Sequence, residues 1–117
     1  MTPAPIVICK TYDVVVVPFP FSDRRISKRR PAAVLSSSDF NAASGHTLLA
    51  MITSAGNPPW PLDVQIDSEN AGLQAASKVR MKLFTLDNRL LLRKAGSLAQ
   101  PDRDAINESL KQLRGKH

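Results

Sequence analysis

Residues 13–17 have the sequence Asp-Val-Val-Val-Val, and prolines follow at positions 18 and 20. The side chains of four consecutive valines are restricted at χ1 and favour an extended backbone. The run is also too short for a stable helix and is bounded by residues that break regular structure, which is typical of a buried strand. We therefore predict that the core of this protein is built on a β-strand over residues 13–17.

Four other segments have the patterns of strands. Apolar runs at residues 32–35 and 47–53 are separated by a turn-forming segment, so the second and third strands are predicted to be antiparallel neighbours. Apolar and polar residues alternate over residues 62–67 and 78–83, as they do in a strand with one exposed face. The last strand has apolar Val79, Met81 and Leu83 alternating with the cations Lys78, Arg80 and Lys82. This strand is therefore predicted to present a positively charged stripe.

Near the C-terminus the spacing of apolar residues changes from two to three or four. Ile106, Leu110 and Leu113 lie on one face of a helix predicted over residues 101–113. Several short strands followed by one helix indicate a mainly β protein, built as a small barrel or strongly bent sheet of antiparallel strands with a C-terminal helix. The length of 117 residues fits one domain, in which residues 1–11 are expected to form a short N-terminal extension.

The charge of the chain is concentrated near the predicted strand ends. A net charge of +6 predicts attraction to polyanions, either nucleic acid or an acidic protein. Residues 19–30 are predicted to form a long basic loop with five cations: Arg24, Arg25, Lys28, Arg29 and Arg30. If strands two and three are neighbours, Arg30 comes close to Thr53 and Ser54, and a guanidinium beside a hydroxyl is suited to hold a phosphate. A solvated basic surface is the alternative that the residues alone leave open.

Several functional classes have no support in the sequence. Cys9 is the only cysteine, so no internal disulfide is possible, and we expect it to be a small apolar filler. His46 and His117 do not have metal-ligand spacing, and neither a catalytic triad nor a glycine-rich phosphate loop is present, so no cofactor is expected. No apolar run approaches the roughly 18 residues that cross a membrane. Without an export signal, the cytoplasm is the expected location.

Two adjoining segments resemble the opening of the MazF/PemK toxins. They are residues 12–23, Tyr-Asp-Val-Val-Val-Val-Pro-Phe-Pro-Phe-Ser-Asp, and residues 28–37, Lys-Arg-Arg-Pro-Ala-Ala-Val-Leu-Ser-Ser. The sequences at residues 51–54 and 77–87 also fit, so that the resemblance covers nearly all of residues 12–114. It implies a single toxin domain with a small SH3-like or CcdB-like barrel. The chain departs from the family at Tyr12, where Gly is usual, and at residues 78–80, where many members have Gln.

The resemblance also implies an activity, partners and site residues. MazF/PemK toxins are metal-independent homodimeric endoribonucleases that cut single-stranded RNA through attack of the ribose 2′-hydroxyl, and an acidic antitoxin neutralises them. The matching motifs make Arg30 and Thr53 the expected catalytic residues. The expected RNA-binding residues are Phe19, Arg24, Arg25, Lys28, Arg29, Ser54, Lys78 and Arg80.

Two other functions and two points of mechanism stay open. A CcdB-like inhibitor of DNA gyrase and a nucleic-acid-binding barrel without catalysis are both compatible with the fold, although Arg30 before Pro31 favours the nuclease. Because an arginine is almost never deprotonated near neutrality, the general base is assigned either to Asp23 or to solvent. The aromatic side chains available to stack on RNA bases are Phe19, Phe21 and Trp60.

Overall fold

A computed structural model describes residues 7–19 and 28–115 of this protein. Its elements are β1 (Asp13–Phe19), β2 (Lys28–Val34), α1 (Ser38–Ser44), β3 (His46–Ser54), β4 (Val64–Ile66), β5 (Ser77–Asp87), a 3₁₀ turn (Asn88–Leu90), β6 (Arg93–Ser97) and α2 (Gln100–Arg114). The strands form one antiparallel sheet in the order β4-β5-β3-β2-β1-β6. The predicted mainly β class with a C-terminal helix is therefore confirmed. Neither α1 nor α2 is long and apolar enough to span a membrane.

The first strand is longer than the sequence predicted. It continues through Pro18 to Phe19, although proline cannot donate a backbone hydrogen bond. The neighbouring β6 pairs with β1 only from Asp13 to Val16, so Pro18 lies beyond the end of that ladder. On its other side Pro18 pairs with Arg29 of β2. The missing N–H thus interrupts no pairing with β6, and the predicted end at Pro18 was wrong for this reason.

The predicted basic loop is partly a strand. Residues 28–30 belong to β2, where Lys28 pairs with Phe19 and Arg30 pairs with Val17. Lysine and arginine have no strong preference for strands, but the neighbouring valine-rich β1 supplies the hydrogen-bonding edge that extends them. Residues 20–27, which include the predicted RNA-binding Arg24 and Arg25, lie outside the described residues.

A short helix was predicted as a turn. The seven residues of α1 begin after Ser37, whose hydroxyl accepts a hydrogen bond from the Phe40 amide, and end at Gly45 with φ 74°. Only Asn41 is buried in this helix, so the sequence has no apolar period there. The sequence features that could have predicted this helix are its capping residues, Ser37 and Gly45.

The bent sheet has a core on each face. We call the side covered by α2 the helix face, and its core consists of Val14, Ala33, Ala50, Ile52, Val64, Ala71, Val79, Met81, Leu98 and Ile106. We call the opposite side the groove face, and its core consists of Cys9, Val15, Val17, Ala32, Val34, Leu49, Leu86 and Leu91. Cys9 is buried as predicted, and burial raises the pKa of its thiol. Because alternate residues of β1 belong to different cores, the strand is buried on both sides.

Tyr12 joins the sheet to α2. Its φ of 73° is in the left-handed region that favours glycine and strains other residues. The Tyr12 hydroxyl donates a hydrogen bond to Asn107 Oδ1, and the Arg103 guanidinium lies 5.4 Å from the centre of the ring. Both partners are in α2, and their contacts offset a strain on the order of 1 kcal/mol.

Candidate active site

Arg30 and Thr53 lie in one pocket on the groove face. Strands β2 and β3 pair Ala32 with Met51, and extending that antiparallel register by two residues brings Arg30 opposite Thr53. The pocket has a volume of about 190 Å³. Its lining residues are Val17, Phe19, Arg30, Pro31, Met51, Ile52, Thr53, Asn57 and Phe84. The predicted meeting of the two strand ends is therefore observed, and the catalytic roles stay predictions.

Arg30 supplies the positive charge of this pocket. Its side chain is exposed, and none of the ion pairs within the described residues involves its guanidinium. No carboxylate or imidazole is among the described residues that line the pocket. Within residues 7–19 and 28–115 the guanidinium is therefore uncompensated, and a guanidinium binds phosphate oxygens through two parallel N–H groups.

The Thr53 hydroxyl has one protein partner in the described part of the chain. Asn57 Nδ2 donates a hydrogen bond to Thr53 Oγ1, and Asn57 lies in the turn that follows β3. The Asn57 amide N–H also donates to the Ser54 carbonyl at 3.1 Å, which closes this turn. Since the Thr53 oxygen accepts from Asn57, its own hydrogen is available to a third group.

Two of the predicted RNA-binding cations form a cluster with Asp63. Lys78 Nζ lies 3.4 Å from Asp63 Oδ2, and Arg80 Nη2 lies 3.2 Å from the same oxygen. Burial raises the pKa of the Asp63 carboxyl, but hydrogen bonds from Arg80, a backbone amide and Lys78 outweigh it, so the pKa lies below its ordinary value. The side chains of Lys78 and Arg80 are only 7% and 12% exposed. The predicted positively charged stripe is therefore largely buried at these two residues, and Asp63 neutralises half of their charge.

Two cations of the predicted stripe, Arg80 and Lys82, lie beside the Trp60 ring. Lys82 Nζ lies 4.6 Å from the centre of the Trp60 ring, and the Arg80 guanidinium lies 5.7 Å from it. Trp60 is 40% exposed, which leaves part of the indole open to a ligand. Leu83, predicted on the apolar face, is 38% exposed, and it lies where the register between β3 and β5 shifts, after Ala50.

The remaining predicted RNA-binding residues divide between the two faces. Lys28 and Phe19 pair directly and so share the groove face with Arg30. Arg29 and Ser54 are neighbours of groove-face residues in sequence and therefore point to the helix face. Arg29 does not line the pocket of Thr53 but a second depression, of about 410 Å³, which Arg93 also lines and which Arg30 borders from its edge with the first. The structure brings Arg30, Thr53, Phe19 and Lys28 to one surface and separates Arg29 and Ser54 from it.

Asn57 and Asp63 are site residues that the sequence analysis did not single out. Asn57 lies in the proline-rich segment after β3, where the sequence has no period, and Asp63 lies at the start of the alternating residues 62–67, just before β4 begins at Val64. Buried cations require an acidic partner, but the burial of Lys78 and Arg80 is seen only in the structure.

Solved structures with similar backbones establish the class of fold. MazF (Form-I) from Deinococcus radiodurans matches with a TM-score of 0.74 and 21% identity over 93% of this chain and 98% of that chain. An endoribonuclease in complex with its cognate antitoxin from Mycobacterial species matches with a TM-score of 0.74 and 16% identity, over 92% and 95%. The Mycobacterium tuberculosis toxin MazF-mt6 matches with a TM-score of 0.70 and 21% identity, over 86% and 93%. The fold is therefore that of MazF-type proteins.

Sequence comparison identifies the family itself. The model for PemK-like, MazF-like toxins of type II toxin-antitoxin systems matches residues 10–113. This protein belongs to that toxin family. No curated protein matches the chain significantly.

Proposed function

We propose that this protein is a toxin endoribonuclease that cuts single-stranded RNA, messenger RNA included, without a metal ion. The observation that supports the proposal most directly is the meeting of Arg30 and Thr53 in one pocket of about 190 Å³, with no described carboxylate to compete for the guanidinium. Family membership over residues 10–113 adds independent support.

The chemistry uses a nucleophile that RNA itself provides. The ribose 2′-oxygen attacks the adjacent phosphorus, the bond from phosphorus to the 5′-oxygen breaks, and the products are a 2′,3′-cyclic phosphate and a 5′-hydroxyl. Negative charge grows on the phosphoryl oxygens during attack. Arg30 and the Thr53 hydroxyl are donors fixed beside that position, and each contributes about 3 to 4 kcal/mol to stabilisation of the transition state.

Two protons must move in this reaction. The leaving 5′-oxygen receives one, and Arg30 is the proposed donor because it is the charged N–H group of the pocket. The 2′-hydroxyl loses the other to a base, and arginine is unsuited to that role because a guanidinium is almost never deprotonated near neutrality. The candidates for the base are water and Asp23, which lies outside the described residues.

The groove face also offers a path for the RNA on either side of the pocket. Phe19 and the exposed Lys28 lie at the β1–β2 end, and Lys82 with the half-open Trp60 lies at the β5 end. Cations bind successive phosphates, while aromatic rings stack on unpaired bases. Arg24, Arg25, Arg29, Ser54, Lys78 and Arg80 stay predicted RNA-binding residues, and for Lys78 and Arg80 that role requires competition with Asp63.

Incubation of the purified protein with a long RNA tests the proposed function. We expect discrete fragments with cyclic phosphate ends, formed equally well in excess EDTA because the substrate supplies the nucleophile and Arg30 supplies the charge. Product ends are read by mass spectrometry. Binding without fragments would instead indicate a non-catalytic nucleic-acid-binding barrel, and inhibition of DNA gyrase without RNA cleavage would indicate CcdB-like action. Activity that EDTA removes and magnesium restores would contradict the metal-independent mechanism.

An acidic antitoxin is the proposed protein partner, acting on a homodimer of the toxin. A disordered acidic segment that folds on binding would pair with the groove-face cations and compete with RNA. We expect inhibition by the small acidic protein encoded beside this one to be competitive, and association to slow as salt screens charges beyond about 8 Å. Initial cleavage rates at several RNA and antitoxin concentrations check this, with light scattering for stoichiometry. Tight binding that leaves cleavage unchanged would refute occlusion of the groove.

A further inference from the structure

The segment between β3 and β4 is fixed against the groove face at several points. Lys78 Nζ donates to the Asn57 carbonyl at 2.7 Å, and Arg80 Nη2 donates to the Pro58 carbonyl at 2.7 Å. The Trp60 amide donates to Asp63 Oδ2 at 3.0 Å. Because Asp63 holds the same two cations, one buried cluster fastens both ends of this segment.

Asn57 is the residue of this segment that reaches the pocket. Three hydrogen bonds fix its position: its amide binds Ser54, its carbonyl binds Lys78, and its side chain binds Thr53. Two prolines follow it, at positions 58 and 59, and their fixed φ angles limit the conformations of the chain on that side. The Asn57 side chain is therefore held against Thr53 by its backbone as well as by its own contact.

The direction of the contact with Thr53 has a chemical consequence. A hydroxyl has one hydrogen and two lone pairs, and the Asn57 amide nitrogen can only donate. Its hydrogen bond therefore occupies a lone pair of Thr53 Oγ1 and leaves the hydroxyl hydrogen to point elsewhere. Among the described residues no acceptor takes that hydrogen. It is thus available to a phosphoryl oxygen beside Arg30.

We propose that Asn57 is a positioning residue, which orients the Thr53 hydroxyl as a hydrogen-bond donor to the phosphate. This inference rests on the proposed function and assigns a further residue to the same site. Asn57 acts through Thr53, so its loss changes the rate of the chemical step and leaves the attraction between the groove and the RNA unaltered. The cluster of Asp63, Lys78 and Arg80 holds the Asn57 backbone in place.

A double-mutant cycle tests the proposal. In the wild-type background Asn57→Ala is expected to lower kcat about five- to tenfold, as the loss of one neutral hydrogen bond does, with KM changed less than about twofold. In the Thr53→Val background, which keeps the β-branched shape, Asn57→Ala is expected to change kcat less than about twofold. Gln112→Ala, which removes an exposed amide from α2 on the other side of the sheet, is the control and should match the wild type. Equal losses in both backgrounds would overturn the proposal.

A second measurement keeps this inference separate from the proposed function. The side-chain amide of Asn57, labelled with ¹⁵N, is expected to shift in Thr53→Val and to stay unchanged in Gln112→Ala. Asn57 and Thr53 are then in contact whether or not RNA is cut. A wild-type protein that cuts no RNA while this shift occurs refutes the nuclease and leaves the contact established. An Asn57 amide that is unaffected by Thr53→Val refutes the positioning role directly.

Discussion

Replacement of Arg30 by alanine is expected to lower the rate of RNA cleavage about 100- to 1,000-fold, the usual cost of removing one donor to a developing oxyanion. The side chain is exposed at the start of β2 and contributes to neither core, so the fold should not change. Single-turnover cleavage with excess enzyme measures the rate, and thermal unfolding checks the fold.

Arg29→Ala is the matched control for this prediction. Arg29 is the preceding residue, is also exposed and has the same charge, but the alternation along β2 directs it to the helix face and it does not line the pocket of Thr53. Its removal should slow cleavage only a few-fold, through weaker general attraction of RNA. Equal losses in the two variants would mean that charge alone matters, and undiminished cutting by folded Arg30→Ala would refute the site assignment.

The strands were predictable because their patterns are local. The valine run of β1 indicates a strand buried on both faces, and the alternation in β4 and β5 indicates strands buried on one face. Both patterns can be seen within a few residues of sequence. The antiparallel pairing of β2 with β3 was predicted from their order along the chain, and it holds although the connection between them contains α1. The juxtaposition of Arg30 and Thr53 could be predicted for the same reason, since antiparallel neighbours bring the start of one strand to the end of the next.

The parts that could not be predicted depend on contacts between distant residues. Lys28 extends β2 because the edge of β1 is beside it, not because its own side chain favours a strand. Lys78 and Arg80 are largely withdrawn from the surface because Asp63, from another segment, binds them. Alternation alone describes which residues share a face and gives no information about which carboxylate reaches that face.

This withdrawal changes how the net charge of +6 should be interpreted. The buried cations fasten the segment that contains Asn57, whereas Arg30 and Lys28 on the groove face have no ion pair within the described residues. The cations of β5 thus have a structural role, whereas the cations of β2 are open to a polyanion. Composition alone cannot tell which cations hold the site together and which bind the substrate.

An RNA with a 2′-hydrogen at the scissile nucleotide is expected to show no detectable cleavage, because the attacking oxygen is absent. Among the described residues of the pocket, the Thr53 hydroxyl is the one group that could replace it as a nucleophile. Thr53 is a weak nucleophile, since no described base accepts its proton. Binding should survive within about threefold, because the phosphates and bases that supply affinity are unchanged.

The site is first mapped with all-ribose RNA, and single deoxy substitutions are then made at the scissile position and, as a control, two nucleotides away. Only the first should stop cutting. Cleavage and binding are measured on the same labelled strands, by gel separation and by fluorescence anisotropy. Loss of binding together with cleavage would show that the 2′-hydroxyl acts in recognition. Cutting at the deoxy position would rule out attack by the 2′-oxygen, and the nucleophile would then be Thr53 or water.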